Sequence, residues 1–305
     1  MKIFLFRLSR RLERAKDWLI GQSLFALMAL LRLVPPRVAM SIAARVGSLL
    51  GPLIPRHRVM LDNLRRAYPE KDEAWIERTA RGNWREMGHM AAEYVFLDKL
   101  VDLSSIGQPD ALVEVEGIPR FFEILDHKGP IVLFTAHMGC FELLPLYAAH
   151  LGLDLTVLFR PPNNRTIARR VAETRSVGSA RLVPSRAGAA WALASALERG
   201  ATAGMLVDQK FKRGVATRFF GRECRTNPLL PKLVRQFDCK VYPVRSVRLP
   251  GGRYRLEIEP EMALPRNAAG VVDVEASCQL LNDVVERWVR EYPEQWMWFH
   301  RRWDY

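Results

Sequence analysis

The residues best able to do chemistry lie in one short string, Phe134-Thr135-Ala136-His137-Met138-Gly139-Cys140-Phe141-Glu142. An imidazole held by a carboxylate makes a general base able to take a proton from an alcohol. His137 and Glu142 are the candidates for that pair. On one continuous helix, residues five apart point ~140° away from each other and cannot meet. Across a strand, a tight turn and a helix start they can converge. The spacing alone also fits a structural pair, and the strand followed by a glycine is what favours catalysis. Cys140 sits between the two in no nucleophile elbow, so no enzyme-borne nucleophile is required.

The elements that must position this string are legible around it. Residues 130–136 form a short, apolar, β-branched run, as in a strand buried on both faces. Residues 141–151 read as a helix and 153–160 as the next strand, with helices over 163–178 and 187–199. Strands follow over 201–207, 240–249 and 253–260, the last two joined by Pro250-Gly251-Gly252, a hairpin signal. Helices are expected over 228–236 and 275–292. Alternating strands and helices predict an α/β layered fold with a mostly parallel central sheet flanked by helices. Catalytic groups in such folds sit at the carboxyl ends of strands, which is where His137 falls. Residues 56–107 read as helical and rather basic, with apolar residues recurring every three or four positions.

The amino terminus has a different character. Lys2, Arg7, Arg10, Arg11, Arg14 and Lys16 precede Trp18–Leu31, an uncharged stretch closed by Pro35-Pro36; a second apolar stretch, Val38–Ile54, is broken by Arg45. This pattern predicts a membrane-anchoring helix over a basic flank, either spanning or lying in the interface. A division into an anchor over 1–55 and a body over 56–305 follows.

Charge and cysteine usage narrow the classes further. The 305 residues carry 46 Lys and Arg against 33 Asp and Glu, a formal net charge of +13, so the surface suits polyanionic partners. Nucleic acid, anionic lipid and acidic protein all qualify, but no recognised nucleic-acid motif is present. The four cysteines form no C-x-x-C pair, and the pattern fits buried, reduced thiols rather than structural zinc.

The string from His137 to Glu142 resembles the His-x4-Asp/Glu signature of the glycerolipid acyltransferase superfamily. The rest is similar to its lipid A branch, the lauroyl and myristoyl acyltransferases of lipopolysaccharide assembly. The similarity runs through Asn63-Leu64-Arg65-Arg66-Ala67-Tyr68-Pro69, Phe159-Arg160-Pro161, Val207-Asp208-Gln209-Lys210, Phe219-Phe220-Gly221, Val241-Tyr242-Pro243 and the terminal block from Tyr292 to Trp303. Glu142 stands where many relatives carry Asp; either carboxylate can orient an imidazole.

The resemblance implies transfer of a fatty acyl chain from acyl carrier protein to a hydroxyl of a Kdo-bearing lipid A precursor, at the cytoplasmic face of the inner membrane. It implies His137 as base, Glu142 as its orienting partner, no acyl-enzyme, and no metal or cofactor. Substrate binding would fall to Arg160, Asp208, Gln209, Lys210 and Arg218. Arg160, ending the strand beside that of His137, would hold phosphate or the developing oxyanion, and Asp208 would pair with a basic residue or hold the site together. Arg160, Arg165, Arg169, Arg170, Arg175, Arg181 and Arg186 make one cationic set; Lys210, Lys212, Arg213, Arg218, Arg222 and Arg225 make a second. Tyr292–Tyr305 reads as core, a membrane-edge belt, or both. The competing readings are an acyltransferase on another glycolipid or a glycerophosphate lipid, and a non-catalytic module binding anionic membrane or nucleic acid.

Overall fold

The computed structural model describes residues 2–159, 164, 166–168, 180–185 and 188–303, with the side chains of 2–12 and 14 excepted. Arg160, Arg165, Arg169, Arg170, Arg175 and Arg186, with most of the helix expected over 163–178, lie outside the described residues.

A seven-stranded sheet forms the centre, in the order β1-β9-β8-β2-β5-β3-β4. Its strands are β1 (Val113–Glu116), β2 (Ile131–Thr135), β3 (Leu155–Phe159), β4 (Arg181–Pro184), β5 (Thr202–Leu206), β8 (Lys240–Leu249) and β9 (Arg253–Ile258). Every neighbouring pair is parallel except β8 and β9, the predicted hairpin. The fold is therefore α/β with a mostly parallel sheet, as the alternation of elements predicts. A separate antiparallel hairpin, β6 (Val215–Phe219) with β7 (Arg222–Thr226), was not expected. Its Arg-rich strands, Val-Ala-Thr-Arg-Phe and Arg-Glu-Cys-Arg-Thr, lack the apolar run that marked β2.

The two faces of the sheet differ. Val132 and Phe134 of β2, with Ala203 and Met205 of β5, enter the main core, where Phe134 stacks on Trp288 at 5.9 Å between centroids. Trp288 belongs to the helix Val274–Glu291, whose first turn is capped by Asp273 accepting from the amides of Glu275 and Ala276. The opposite face, carrying Leu133, Thr135, Gly204 and Leu206, borders a large cavity instead. All four cysteines are buried and unpaired.

At the amino terminus, α1 (Lys2–Leu31) is one continuous helix, and Pro36 starts α2 (Pro36–Leu50) at the position where its missing N–H costs nothing. Helix α2 buries Ala39, Met40 and Ala44 and packs along α4 (Glu73–Phe96). Its other side exposes Val38, Ile42, Val46 and Leu49, and α1 exposes Trp18, Leu19, Leu27 and Leu30. Among the described residues no single helix is long and apolar enough to cross a membrane. Pro36–Leu53 and Arg56–Ala67 would qualify only as a pair, and they are bent by 88°.

Candidate active site

Strand register builds the site. Thr135 of β2 is paired with Leu206 of β5 in parallel, and the amide of Val207 continues the ladder to the Thr135 carbonyl at 3.1 Å. Two residues past each partner come His137 and Asp208, which emerge side by side at the carboxyl ends of adjacent strands. The Asp208 carboxylate accepts from His137 twice, from the backbone amide at 3.0 Å and from ring Nδ1 at 2.8 Å. It also accepts from the indole N–H of Trp296 at 2.8 Å. An ionised carboxylate is an acceptor only, so the ring carries its proton on Nδ1 and presents the lone pair of Nε2. Gln209 holds that nitrogen in the resting site, its amide nitrogen 3.2 Å away.

Burial alone would raise the Asp208 carboxyl, since its side chain is 2% exposed. The charge of the imidazole when it is protonated, its Nδ1 hydrogen bond, the His137 amide and the Trp296 indole outweigh that and hold it down to about 2. Asp208 is thus a fixed anion aimed at Nδ1, while the histidine side chain is 16% exposed and faces the cavity.

Here the structure corrects the sequence reading. Glu142 does not orient His137; among the described residues Asp208 is the carboxylate on the imidazole. The chain does turn sharply at Gly139, but Glu142 then sits at the amino end of α6 (Leu143–His150). From there its carboxylate accepts from the Tyr94 hydroxyl of α4 at 2.6 Å. Glu142 and His137 nevertheless border the same cavity.

The turn itself is locked by the carboxyl-terminal segment. Gly139 donates to the Gln295 carbonyl at 3.1 Å, and Met297 donates to the His137 carbonyl at 3.1 Å. Gln295 in turn exchanges two side-chain hydrogen bonds with the backbone of Arg248 in β8, each 2.8 Å. Buried Asn83 holds this segment from α4, donating to the carbonyls of Glu294 and Trp296. Gly139 has φ +54, and a Cβ there would stand 2.2 Å from the Ser246 carbonyl oxygen. Gly139→Ala therefore meets a left-handed penalty of about 1–2 kcal/mol as well as a backbone collision. Its melting temperature is expected to fall by several degrees, at roughly 2–4 °C per kcal/mol for a protein of this size class. Gly152→Ala, at φ +92 with open space around it, is the control expected to lose less; equal losses in the two variants would contradict this account of the turn.

The cavity has a volume of about 1860 Å³ and is predominantly apolar. Phe25 and Met28 of α1, Val46 and Leu50 of α2, and Met87 and Met90 of α4 form one side. The sheet forms the other, together with α5 (Ile118–Asp126) through Phe121 and Phe122. His137, Glu142, Gln209 and His300 are polar residues on its wall.

Of the other expected substrate-binding residues, Lys210 lies outside this cavity, sharing a smaller surface hollow with Lys212, Arg213 and Arg225. Arg218 is on β6, where its guanidinium donates to the Gly221 carbonyl, and it does not border the cavity. Sequence reasoning missed Trp296, Tyr94 and Gln295. Trp296 was available only as part of the aromatic terminal block, which proves to be core: Trp296, Trp298 and Trp303 are buried. Buried among other groups, Cys140 has its thiol pushed well up by burial and by the neighbouring Glu93 carboxylate, which makes it a poor nucleophile.

A strand-end histidine held by a buried carboxylate and opening on a long apolar cavity suits proton abstraction from a hydroxyl of a lipid-like substrate. Comparison with known proteins agrees. The sequence model for the bacterial lipid A biosynthesis acyltransferase matches residues 6–304. A lipid A biosynthesis acyltransferase of Haemophilus influenzae is 23% identical over 285 residues, covering 92% of this chain and 86% of that relative. The chain belongs to the bacterial lipid A biosynthesis acyltransferase family.

Proposed function

We propose that the protein transfers a fatty acyl group from the thioester of acyl carrier protein to a hydroxyl of a Kdo-bearing lipid A precursor. The single observation that carries this is the His137 imidazole, held by Asp208 at Nδ1 and bordering an apolar cavity. The acceptor hydroxyl displaces the Gln209 amide from Nε2 and gives its proton to that nitrogen as its oxygen attacks the thioester carbonyl. Collapse of the tetrahedral oxyanion breaks the C–S bond, and the proton passes from Nε2 to the departing thiolate. The products are an ester and a thiol, with no acyl-enzyme. Asp208 keeps the ring in the right tautomer and offsets the charge of the imidazolium. Glu142, held by Tyr94, contacts the acceptor in this reading, which its position on the same cavity wall supports.

The cavity's size supports a lipid donor and a lipid acceptor together. A cavity of ~150 Å³ suffices for the six carbons of benzene, so a twelve-carbon chain needs ~300 Å³. The volume of about 1860 Å³ leaves room for several chains. Each methylene buried contributes about 0.8 kcal/mol. The apolar outer faces of α1 and α2, with Lys16, Arg37 and Arg45 nearby in the chain, support docking on an anionic membrane at the cytoplasmic face of the inner membrane.

The test is an assay of the purified chain with acyl carrier protein thioesters and the tetra-acylated, Kdo-bearing acceptor, with products identified by mass spectrometry. The expected product is a penta-acylated lipid. Transfer to glycerol phosphate instead, or to no lipid acceptor, would overturn the assignment. Membrane docking is read separately: the protein is expected to co-sediment with phosphatidylglycerol vesicles, several-fold less with pure phosphatidylcholine, and less still after Ile42→Asp with Leu49→Asp, both exposed and outside the cavity wall. Equal sedimentation of the variant and the native protein would remove the α2 face from the contact.

A further inference from the structure

Gly204 stands in the middle of β5, a central strand paired on both sides. Glycine inside a strand costs roughly 0.5–1 kcal/mol relative to alanine and commonly marks a site of close approach. The backbone gives no reason for it here, because φ at Gly204 lies outside the left-handed region. Crowding is slight: an added Cβ would lie 3.6 Å from both Val157 methyls, an ordinary contact, and 3.3 Å from a Leu155 methyl, the end of a side chain that can yield by a few tenths of an ångström. What an added side chain would take up is space in the cavity, which Gly204 borders.

Register gives the depth at which that space lies. Leu133, Gly204 and Val157 are partners across three adjacent parallel strands and share the cavity face. Thr135 and Leu206 form the next row toward the catalytic end, and His137 with Asp208 the row after that. Rows on one face are two residues apart, ~6.6 Å, so Gly204 lies ~13 Å below the level of His137. An extended carbon chain built from bonds of ~1.5 Å advances ~1.3 Å per carbon. About ten carbons therefore bring an acyl chain to the row of Gly204, and the cavity continues one row further, to Leu155, the register partner of Thr202.

Resting on the acyl-transfer reading above, we infer that Gly204 is the chain-length gate of this protein: its missing side chain lets acyl groups longer than about ten carbons pass down the sheet face. A side chain at this position closes the passage and leaves shorter chains unaffected.

The experiment compares native protein, Gly204→Ala and Gly204→Val with carrier-protein thioesters of 8, 10, 12, 14 and 16 carbons. The expected result is a fall of at least tenfold in kcat/KM for 14 carbons relative to 10 in the valine variant, and a smaller shift of the same sign in the alanine variant. A uniform loss across all lengths would overturn the inference. Native mass spectrometry with octanoate, decanoate, dodecanoate, tetradecanoate and hexadecanoate gives a readout that needs no turnover. There the native protein should bind more tightly as the chain grows past ten carbons, and the valine variant should stop gaining at ten. A plateau at ten in the native protein would sink the gate even if transfer succeeds. Failure of the native protein to transfer any acyl group would sink the functional reading, while the fatty-acid profiles would still decide the role of Gly204.

Discussion

His137→Ala is expected to lose acyl transfer by roughly 10²–10⁴, the contribution of a positioned general base. The loss should fall on kcat, because the imidazole occupies a small part of a long apolar wall and most binding contacts remain. Stability should change less. Asp208 would keep the backbone amide of residue 137 and the Trp296 indole as donors, so its charge is not stranded when the ring is removed. One charge-assisted hydrogen bond disappears, on the order of 1.5–3 kcal/mol. Initial rates with saturating thioester, read beside thermal unfolding of the same samples, separate the two effects. A variant that retains the native rate within about threefold would rule out His137 as the base and with it the proposed mechanism.

What could be read in advance followed the reach of local forces. The β2 run is apolar on both faces, and that alone identifies a strand in a parallel sheet and puts His137 at its catalytic end. The β8–β9 hairpin was legible because Pro250-Gly251-Gly252 is a local turn signal. The β6–β7 hairpin was not, because Val-Ala-Thr-Arg-Phe and Arg-Glu-Cys-Arg-Thr carry neither a continuous apolar run nor a strict polar-apolar alternation over their five positions. The partner of the histidine was misread for a different reason. Glu142 is five residues from His137 and Asp208 is 71, but the direction of the Glu142 side chain is set by Tyr94, 48 residues earlier. Sequence spacing proposes which groups can meet, and parallel register decides which do. The end of β5 carried the missing signal: Asp208 follows its strand by the same offset as His137 follows β2.

That misreading makes the paired comparison of the two carboxylates the sharpest test of the site. Asp208→Asn keeps the shape but offers Nδ1 a neutral amide in place of an anion. The ring can then settle with its proton on Nε2, where it cannot act as a base, and the imidazolium loses its countercharge. A loss of about 10⁴ in kcat is the precedent for this substitution in a serine-protease triad, and a loss of at least about a hundredfold is expected here. Glu142→Gln should leave the Asp208–His137 contact intact and lose less through that route. If Glu142 contacts the acceptor, its loss should appear chiefly as a rise in KM for the glycolipid. Stability carries a second signature. The Asp208 carboxyl is held at about 2, below its ordinary value of 3.8. A depressed folded-state value contributes stability that is present above the unfolded value and lost as pH falls toward the folded one. The contribution is therefore full at neutral pH, on the order of 2 kcal/mol, and disappears between about pH 4 and 2. Urea unfolding at pH 7 should find Asp208→Asn less stable than the native protein, with the gap narrowing by pH 3. Should Glu142→Gln instead abolish turnover while Asp208→Asn works normally, the imidazole would take its orientation from the nearer carboxylate during catalysis. The resting contact at 2.8 Å would then be structural alone.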